Sequence, residues 1–245
     1  MNEFIVVIPA RYASMRLPGK PLLDLKGKPM IQRVYEQALR SAATRVVVAT
    51  DDERIHAAVE SFGGEVCLTR ADHVSGTDRV HEVVENLGLP DEQSVINVQG
   101  DEPLIPPEAI NQVAELMAES SATMATLCEP IELEQDYLDP NIVKVVRGGR
   151  NALYFSRAPV PLNRDHPTTY QGGAYRHIGI YGYQAKLLRQ FVTWPEATLE
   201  KTEKLEQLRV LENGVAIAIA EADCVIPPGI DTARDLERTL AVLED

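Results

Sequence analysis

Arg11, Arg16 and Lys20 stand close together in the run Pro9-Ala10-Arg11-Tyr12-Ala13-Ser14-Met15-Arg16-Leu17-Pro18-Gly19-Lys20-Pro21, directly after the apolar stretch Phe4 to Ile8. Cations clustered behind a buried strand can grip a small polyanion such as a triphosphate through charge-assisted hydrogen bonds. The run is not a P-loop. Ser14 stands where the first glycine of that motif belongs, and Pro21 where its magnesium-binding Ser or Thr belongs. A dinucleotide fingerprint is also missing after this stretch. The competing reading is a solvated basic loop, since surface cations are ordinary.

A second group is Asn97-Val98-Gln99-Gly100-Asp101-Glu102-Pro103, at the end of another apolar run, Val95 to Val98. A carboxylate there can hold Mg²⁺, which favours one or two carboxylates together with phosphate oxygens and water. Asp101 also reads as a cap for the helix expected near Pro107 to Met117. A third group, Gly229-Ile230-Asp231-Thr232, precedes the last helical period, where Asp231 alone reads as an N-cap.

The elements that must position these groups follow from periodicity. Phe4 to Ile8, Val46 to Ala49 and Val95 to Val98 are short β-branched apolar runs, the pattern of strands buried on both faces. Helical periods lie between them: Ile31, Val34, Tyr35, Ala38 and Leu39; Ile55, Ala58, Val59 and Phe62; Val80, Val83, Val84 and Leu87. The alternation predicts an α/β fold with a parallel sheet, whose strands all end on one edge, so Lys20 and Asp101 can share a cleft. After about Met124 the order loosens. Strands are expected at Val143 to Val146, Leu153 to Phe155 and Ile178 to Tyr183, with a polar loop from Asn163 to Gly173. A helix from about Thr202 to Glu212, a strand near Val215 to Ala220 and a closing helix with Leu236, Leu240 and Leu243 complete a mixed second half.

Composition limits the partners. The 245 residues are 44% hydrophobic and carry a formal charge of -13, which argues against a nucleic-acid surface. Small-molecule partners are implied instead. No apolar run approaches the roughly 20 residues a membrane span needs, and the N-terminus has no secretory signal, so a cytoplasmic protein without membrane insertion is expected. Cys67, Cys128 and Cys224 are odd in number and far apart, and read as buried thiols in a reducing compartment.

The opening run from Ala10 to Pro21 resembles the signature of the 3-deoxy-manno-octulosonate (Kdo) cytidylyltransferases. The resemblance continues through Ser75-Gly76-Thr77-Asp78-Arg79, Val98-Gln99-Gly100-Asp101-Glu102-Pro103 and Ala152-Leu153-Tyr154-Phe155-Ser156-Arg157-Ala158. It extends to Arg176-His177-Ile178-Gly179-Ile180-Tyr181-Gly182-Tyr183, Leu205-Glu206-Gln207-Leu208-Arg209 and Gly229-Ile230-Asp231-Thr232. It therefore spans nearly the whole chain. Leu162 departs from it, standing where an aromatic residue is expected after Pro161.

The resemblance implies a Rossmann-like nucleotidyltransferase fold with a mixed, mainly parallel sheet and an inserted sugar-binding and dimerisation segment. One cytidylyltransferase domain is expected over residues 1–245, with a nucleotide-binding half to about 125 and a sugar-binding and dimerisation half from about 126. By the same resemblance Pro9, Ala10, Arg11, Arg16, Lys20, Ser75 and Gly76 bind CTP. Arg79, Gln99, Arg157, His177, Tyr181, Glu206 and Gln207 bind the sugar acid, and Asp101 and Asp231 hold Mg²⁺. Arg16, Lys20, Asp101 and Asp231 form the catalytic set, and a homodimer is expected. Cytidylyltransfer to 8-amino-Kdo or another acidic sugar, and a non-catalytic nucleotide sensor, stand as alternatives. Taken without the resemblance, His177 and Tyr181 read as core or edge residues as readily as site residues, Glu206 as a solvated helix face, and Arg157 as a cap on a carbonyl.

Overall fold

The structure, a computed structural model, describes residues 3–13, 17–73, 75–167 and 169–243. The first half contains β1 (Phe4–Ala10), the short hairpin β2 (Asp24–Leu25) and β3 (Lys28–Pro29), α1 (Met30–Leu39), β4 (Arg45–Thr50), α2 (Glu53–Ser61), β5 (Val66–Leu68), α3 (Gly76–Asn86), β6 (Ser94–Asn97) and α4 (Pro107–Ser120). The second half contains β7 (Met124–Pro130), α5 (Glu134–Leu138), β8 (Lys144–Gly148), β9 (Asn151–Ser156), β10 (Tyr175–Gln184), α6 (Ala185–Phe191), α7 (Thr198–Glu203), α8 (Gln207–Glu212), β11 (Ala218–Glu221) and α9 (Ala233–Val242).

One sheet runs through both halves in the order β5-β4-β1-β6-β10-β7-β11-β9-β8. The strands β5, β4, β1 and β6 are mutually parallel. β10 then runs antiparallel to β6 and β7, whereas β11 is parallel to β7, giving the mixed sheet expected from the sequence. Side chains on β1 alternate between two cores. Phe4, Val6 and Ile8 pack with Ile31, Val34 and Ile55 from α1 and α2, while Ile5 and Val7 pack with Val80, Val83 and Val84 of α3. Burial on both faces is why β1 reads as a continuous apolar run rather than an alternating one.

Two expectations need correction. The helix anticipated from Thr202 to Glu212 is two helices, α7 and α8, because Lys204 adopts a left-handed backbone with φ 55° that ends the first of them. The strand anticipated near Val215 to Ala220 occupies Ala218–Glu221.

Candidate active site

β1 and β6 are adjacent and parallel, and their carboxyl ends carry the two groups singled out in the sequence. They approach very closely there. A Cβ at Gly100 would lie 2.8 Å from the Pro9 carbonyl oxygen, so only glycine lets the chain leave β6 at this place. Lys20 begins a single 3₁₀ turn, Lys20–Leu22, and its ammonium reaches across the strand ends. Nζ donates to Asp101 Oδ2 at 2.7 Å, to Asp231 Oδ1 at 3.0 Å and to the Ile230 carbonyl at 2.9 Å. Burial alone would lower the Lys20 pKa. The Asp101 and Asp231 carboxylates outweigh burial and hold it above its ordinary value.

Asp231 is brought in from the far end of the chain. Ile230 N donates to the Asp101 carbonyl at 2.9 Å, and the Ile230 side chain is buried with Leu25, Met30 and Leu243. The cap of α9 is Thr232, whose hydroxyl accepts from Asp235 N in a capping box, so Asp231 is released from that task. Asp101 likewise does not cap α4, whose N-cap is Pro106. Both capping readings therefore give way to a pair of carboxylates meeting at one ammonium.

These groups line a cleft of about 290 Å³ together with Pro9, Ala10, Arg11 and Gln99. Arg11 Nη2 is buried with no hydrogen-bond partner among the described residues, which marks a donor suited to an anionic ligand. Arg16 lies outside the described residues. Two carboxylates converging on a cleft that also holds Arg11 and Lys20 fit the ligand set that Mg²⁺ takes from a protein, with phosphate oxygens and water filling the rest.

A second cavity of about 230 Å³ adjoins the first and is lined by Gly76, Thr77, Asn97, Gln99, Tyr181, Tyr183, Lys204, Leu205, Glu206 and Gln207. Gln99 belongs to the walls of both, and Gly76 packs near the Pro9 ring. Ser75 is the N-cap of α3, its hydroxyl accepting from Asp78 N at 3.1 Å. Burial raises the Glu206 pKa, partly offset by hydrogen bonds with Thr77 and Ser75. A bulge in β10 shapes this cavity. Its register against β7 shifts between Ile178 and Tyr181, where Thr126 Oγ1 sits 3.0 Å from the Ile178 carbonyl and 2.8 Å from that of Ile180. The shift brings the rings of His177 and Tyr181 to 5.2 Å, and Gln99 Nε2 reaches the Gly179 carbonyl at 3.4 Å.

His177 backs the cavity rather than lining it. Its Nε2 lies 3.1 Å from Thr126 Oγ1 and its ring packs edge-on against Phe155. Burial, with Arg176 adding to it, pushes its pKa down to about 3, so the imidazole is neutral. Burial likewise pushes the Tyr181 phenol well above its ordinary range.

Two of the sugar-site candidates lie elsewhere. Arg79 is fully buried and pairs with Asp51 at 3.1 Å, near Arg11 rather than in the second cavity. Arg157 donates from Nε to the Glu203 carbonyl at 2.8 Å and from Nη1 to the Pro140 carbonyl at 2.9 Å, the capping role that its type alone allowed. The sequence reading also passed over Tyr183 and Thr77, which line the second cavity. Tyr183 alternates with Tyr181 along β10 and Thr77 directly follows Gly76 at the start of α3, which is the signal that placed them within reach.

A sheet with this topology, carrying cations and paired carboxylates at its strand ends, defines a nucleotidyltransferase of the α/β type. Comparison with known proteins narrows the class. The family model described as Cytidylyltransferase matches residues 5–217. The 3-deoxy-manno-octulosonate cytidylyltransferase of Cellvibrio japonicus is 57% identical, with 99% of this chain and 98% of that protein covered. The enzyme of the same name from Yersinia enterocolitica is 54% identical over 98% of both. A solved structure described as CMP:2-keto-3-deoxy-manno-octonic acid synthetase complexed with CTP superposes with a TM-score of 0.91 at 43% identity, covering 98% of each chain. The chain belongs to the 3-deoxy-manno-octulosonate cytidylyltransferase family.

Proposed function

We propose that this chain transfers CMP from CTP to the anomeric hydroxyl of Kdo, giving CMP-Kdo and pyrophosphate for lipopolysaccharide biosynthesis. The observation that carries this reading is the meeting of Lys20, Asp101 and Asp231 in a cleft that shares Gln99 as a wall with a second, polar cavity. The first cleft takes the nucleotide, with Lys20, Arg11 and, from the resemblance, Arg16 on its phosphates. The second takes the sugar acid, whose hydroxyls find donors and acceptors on Gln99, Gln207, Glu206 and Tyr181.

Asp101 and Asp231 would hold a magnesium ion, which would supply Lewis-acid activation of the sugar hydroxyl and charge neutralisation at the phosphates. Lys20 and Arg11 place positive charge where the pyrophosphate leaves, and Gln99 orients the two substrates from their shared wall. His177 stays neutral behind Tyr181 and fixes the ring that faces the sugar. Positioning and electrostatics then carry the reaction, with no side-chain nucleophile.

We read the protein as cytoplasmic and homodimeric. No helix among the described residues is long and apolar enough to cross a membrane. Exposed Leu138 and Leu162, which line a groove of about 270 Å³ with Tyr137 and Tyr170, favour a self-association face in the second half. Light scattering on the purified chain tests the dimer. The activity is tested by offering CTP and Mg²⁺ with equal Kdo and 8-amino-Kdo in one tube and following both CMP-sugars by mass spectrometry. Predominance of CMP-Kdo supports the assignment; predominance of the amino product moves the acceptor while leaving cytidylyltransfer in place.

A further inference from the structure

Tyr12 sits between the two feet of the loop that carries the cleft's cations. Its carbonyl accepts from Gly19 N at 3.1 Å, closing the chain that leaves β1 through Arg11 and returns at Lys20. Its ring lies against Gly19, where an added Cβ would come within 3.1 Å of the ring edge and 3.2 Å of the hydroxyl. Gly19 also has φ 69°, a left-handed conformation that glycine takes without steric cost. Tyr12 thus directly follows one cation, Arg11, and is pinned against Gly19, the residue that precedes the other, Lys20.

The same ring carries Arg54, whose Cζ lies 3.3 Å from the ring centroid, a stacked cation–π contact. Arg54 is itself held. Its Nε and Nη2 donate to Asp52 Oδ1 and Oδ2 at 2.9 and 2.6 Å, and Asp52 caps α2 by accepting from Arg54 N at 2.9 Å. α2 follows β4, the strand beside β1. The series Gly19, Tyr12, Arg54, Asp52 therefore ties the loop to the start of a neighbouring helix, and none of the last three lines the cleft.

We propose that Tyr12 and Arg54 are positioning residues for the nucleotide: they hold Arg11 and Lys20 at the separation that the triphosphate of CTP requires. The proposal rests on reading the first cleft as the CTP site. It predicts a selective effect, because the second cavity is walled by α3, β10 and the α7–α8 junction and does not depend on this stack.

The test is steady-state kinetics with CTP and Kdo varied in turn, plus calorimetric CTP binding in the presence of Mg²⁺. Arg54→Ala should lower kcat/KM for CTP about two- to fivefold, the scale of one cation–π contact at an exposed site, and leave KM for Kdo unchanged. Arg54→Lys, which keeps a cation over the ring, should fall between the alanine variant and wild type. Tyr12→Phe should match wild type, and Tyr12→Ala combined with Arg54→Ala should be no worse than the poorer single variant. An Arg54→Ala protein with normal CTP parameters, or with both substrates equally impaired, overturns the proposal. Arg54 is on the exposed first turn of α2, so this variant decides the matter even if Tyr12→Ala does not fold. Wild-type turnover in the same assay keeps the two questions apart. An active wild type with an unaffected Arg54→Ala variant removes the positioning role alone, and a wild type that binds no CTP removes both.

Discussion

Replacing Glu102 with glutamine should change how stability depends on pH, by an amount the structure sets. Glu102 Oε2 is buried with no hydrogen-bond partner among the described residues. Burial first, then the adjacent Asp101 carboxylate, push its pKa up to about 8 from an ordinary 4.5, against a smaller opposing pull from Arg176. Between those values the folded protein keeps a proton that the unfolded chain gives up. Stability therefore falls as pH rises, by about 1.4 kcal/mol per pH unit.

His177 works in the opposite direction: with its pKa lowered from 6.5 to about 3, it makes stability rise with pH across that range. The two slopes oppose each other where they overlap, and above 6.5 the His177 contribution is complete while that of Glu102 continues. From there to about 8 the wild type should lose on the order of 2 kcal/mol. Glu102→Gln keeps the shape and stays neutral, so its profile should lack this fall over the same interval. Urea unfolding without nucleotide or divalent cation, repeated across that window, gives both curves. Parallel profiles for the two proteins would refute the reasoning.

Asp101→Asn and Asp231→Asn should each lower kcat by on the order of a hundredfold, measured at saturating CTP and Kdo, and EDTA should abolish turnover. Asp231→Asn should do so without lowering the melting temperature, because Thr232 caps α9; a loss of stability alone would return Asp231 to a structural role. Lys20→Ala should raise KM for CTP more than for Kdo, Gln207→Leu the reverse, and Gln99→Ala both, as their places on the cavity walls require; equal rises in all three would contradict the division of the cleft. UTP should be a poorer substrate than CTP in parallel assays, since a site that pairs with the cytosine amino group leaves an acceptor unpaired on uracil.

What could be read from the sequence depended on range. β1, β4 and β6 were legible because strands covered by helices on both faces are apolar throughout, and the helices between them show the 3.6-residue period. β7 and β5 are just as integral to the sheet yet were not expected. β5 has only three residues, and β7 ends in Cys128-Glu129-Pro130 at the point where the sheet turns mixed. The break between α7 and α8 is carried by a lysine in a left-handed conformation, which has no residue signature of its own.

At the site, residue types placed Lys20, Arg11 and Asp101 at one sheet edge, because parallel strands must end together. They could not place Asp231, which reaches Lys20 only through burial of Ile230 more than two hundred residues along the chain. Arg79 and Arg157 show the converse. A guanidinium in a matching motif says what it can bind, and packing decides whether Asp51 or a carbonyl binds it first.

Passage of the α-phosphoryl of CTP to Kdo can be followed through that phosphorus itself. CTP labelled at the α-position is incubated with the protein, Mg²⁺ and Kdo, and the label and pyrophosphate are quantified together. Label should appear in CMP-Kdo in one-to-one proportion with pyrophosphate, with none transferred when Kdo is left out. Label recovered as free CMP or CDP, or pyrophosphate released at the same rate without Kdo, would contradict it.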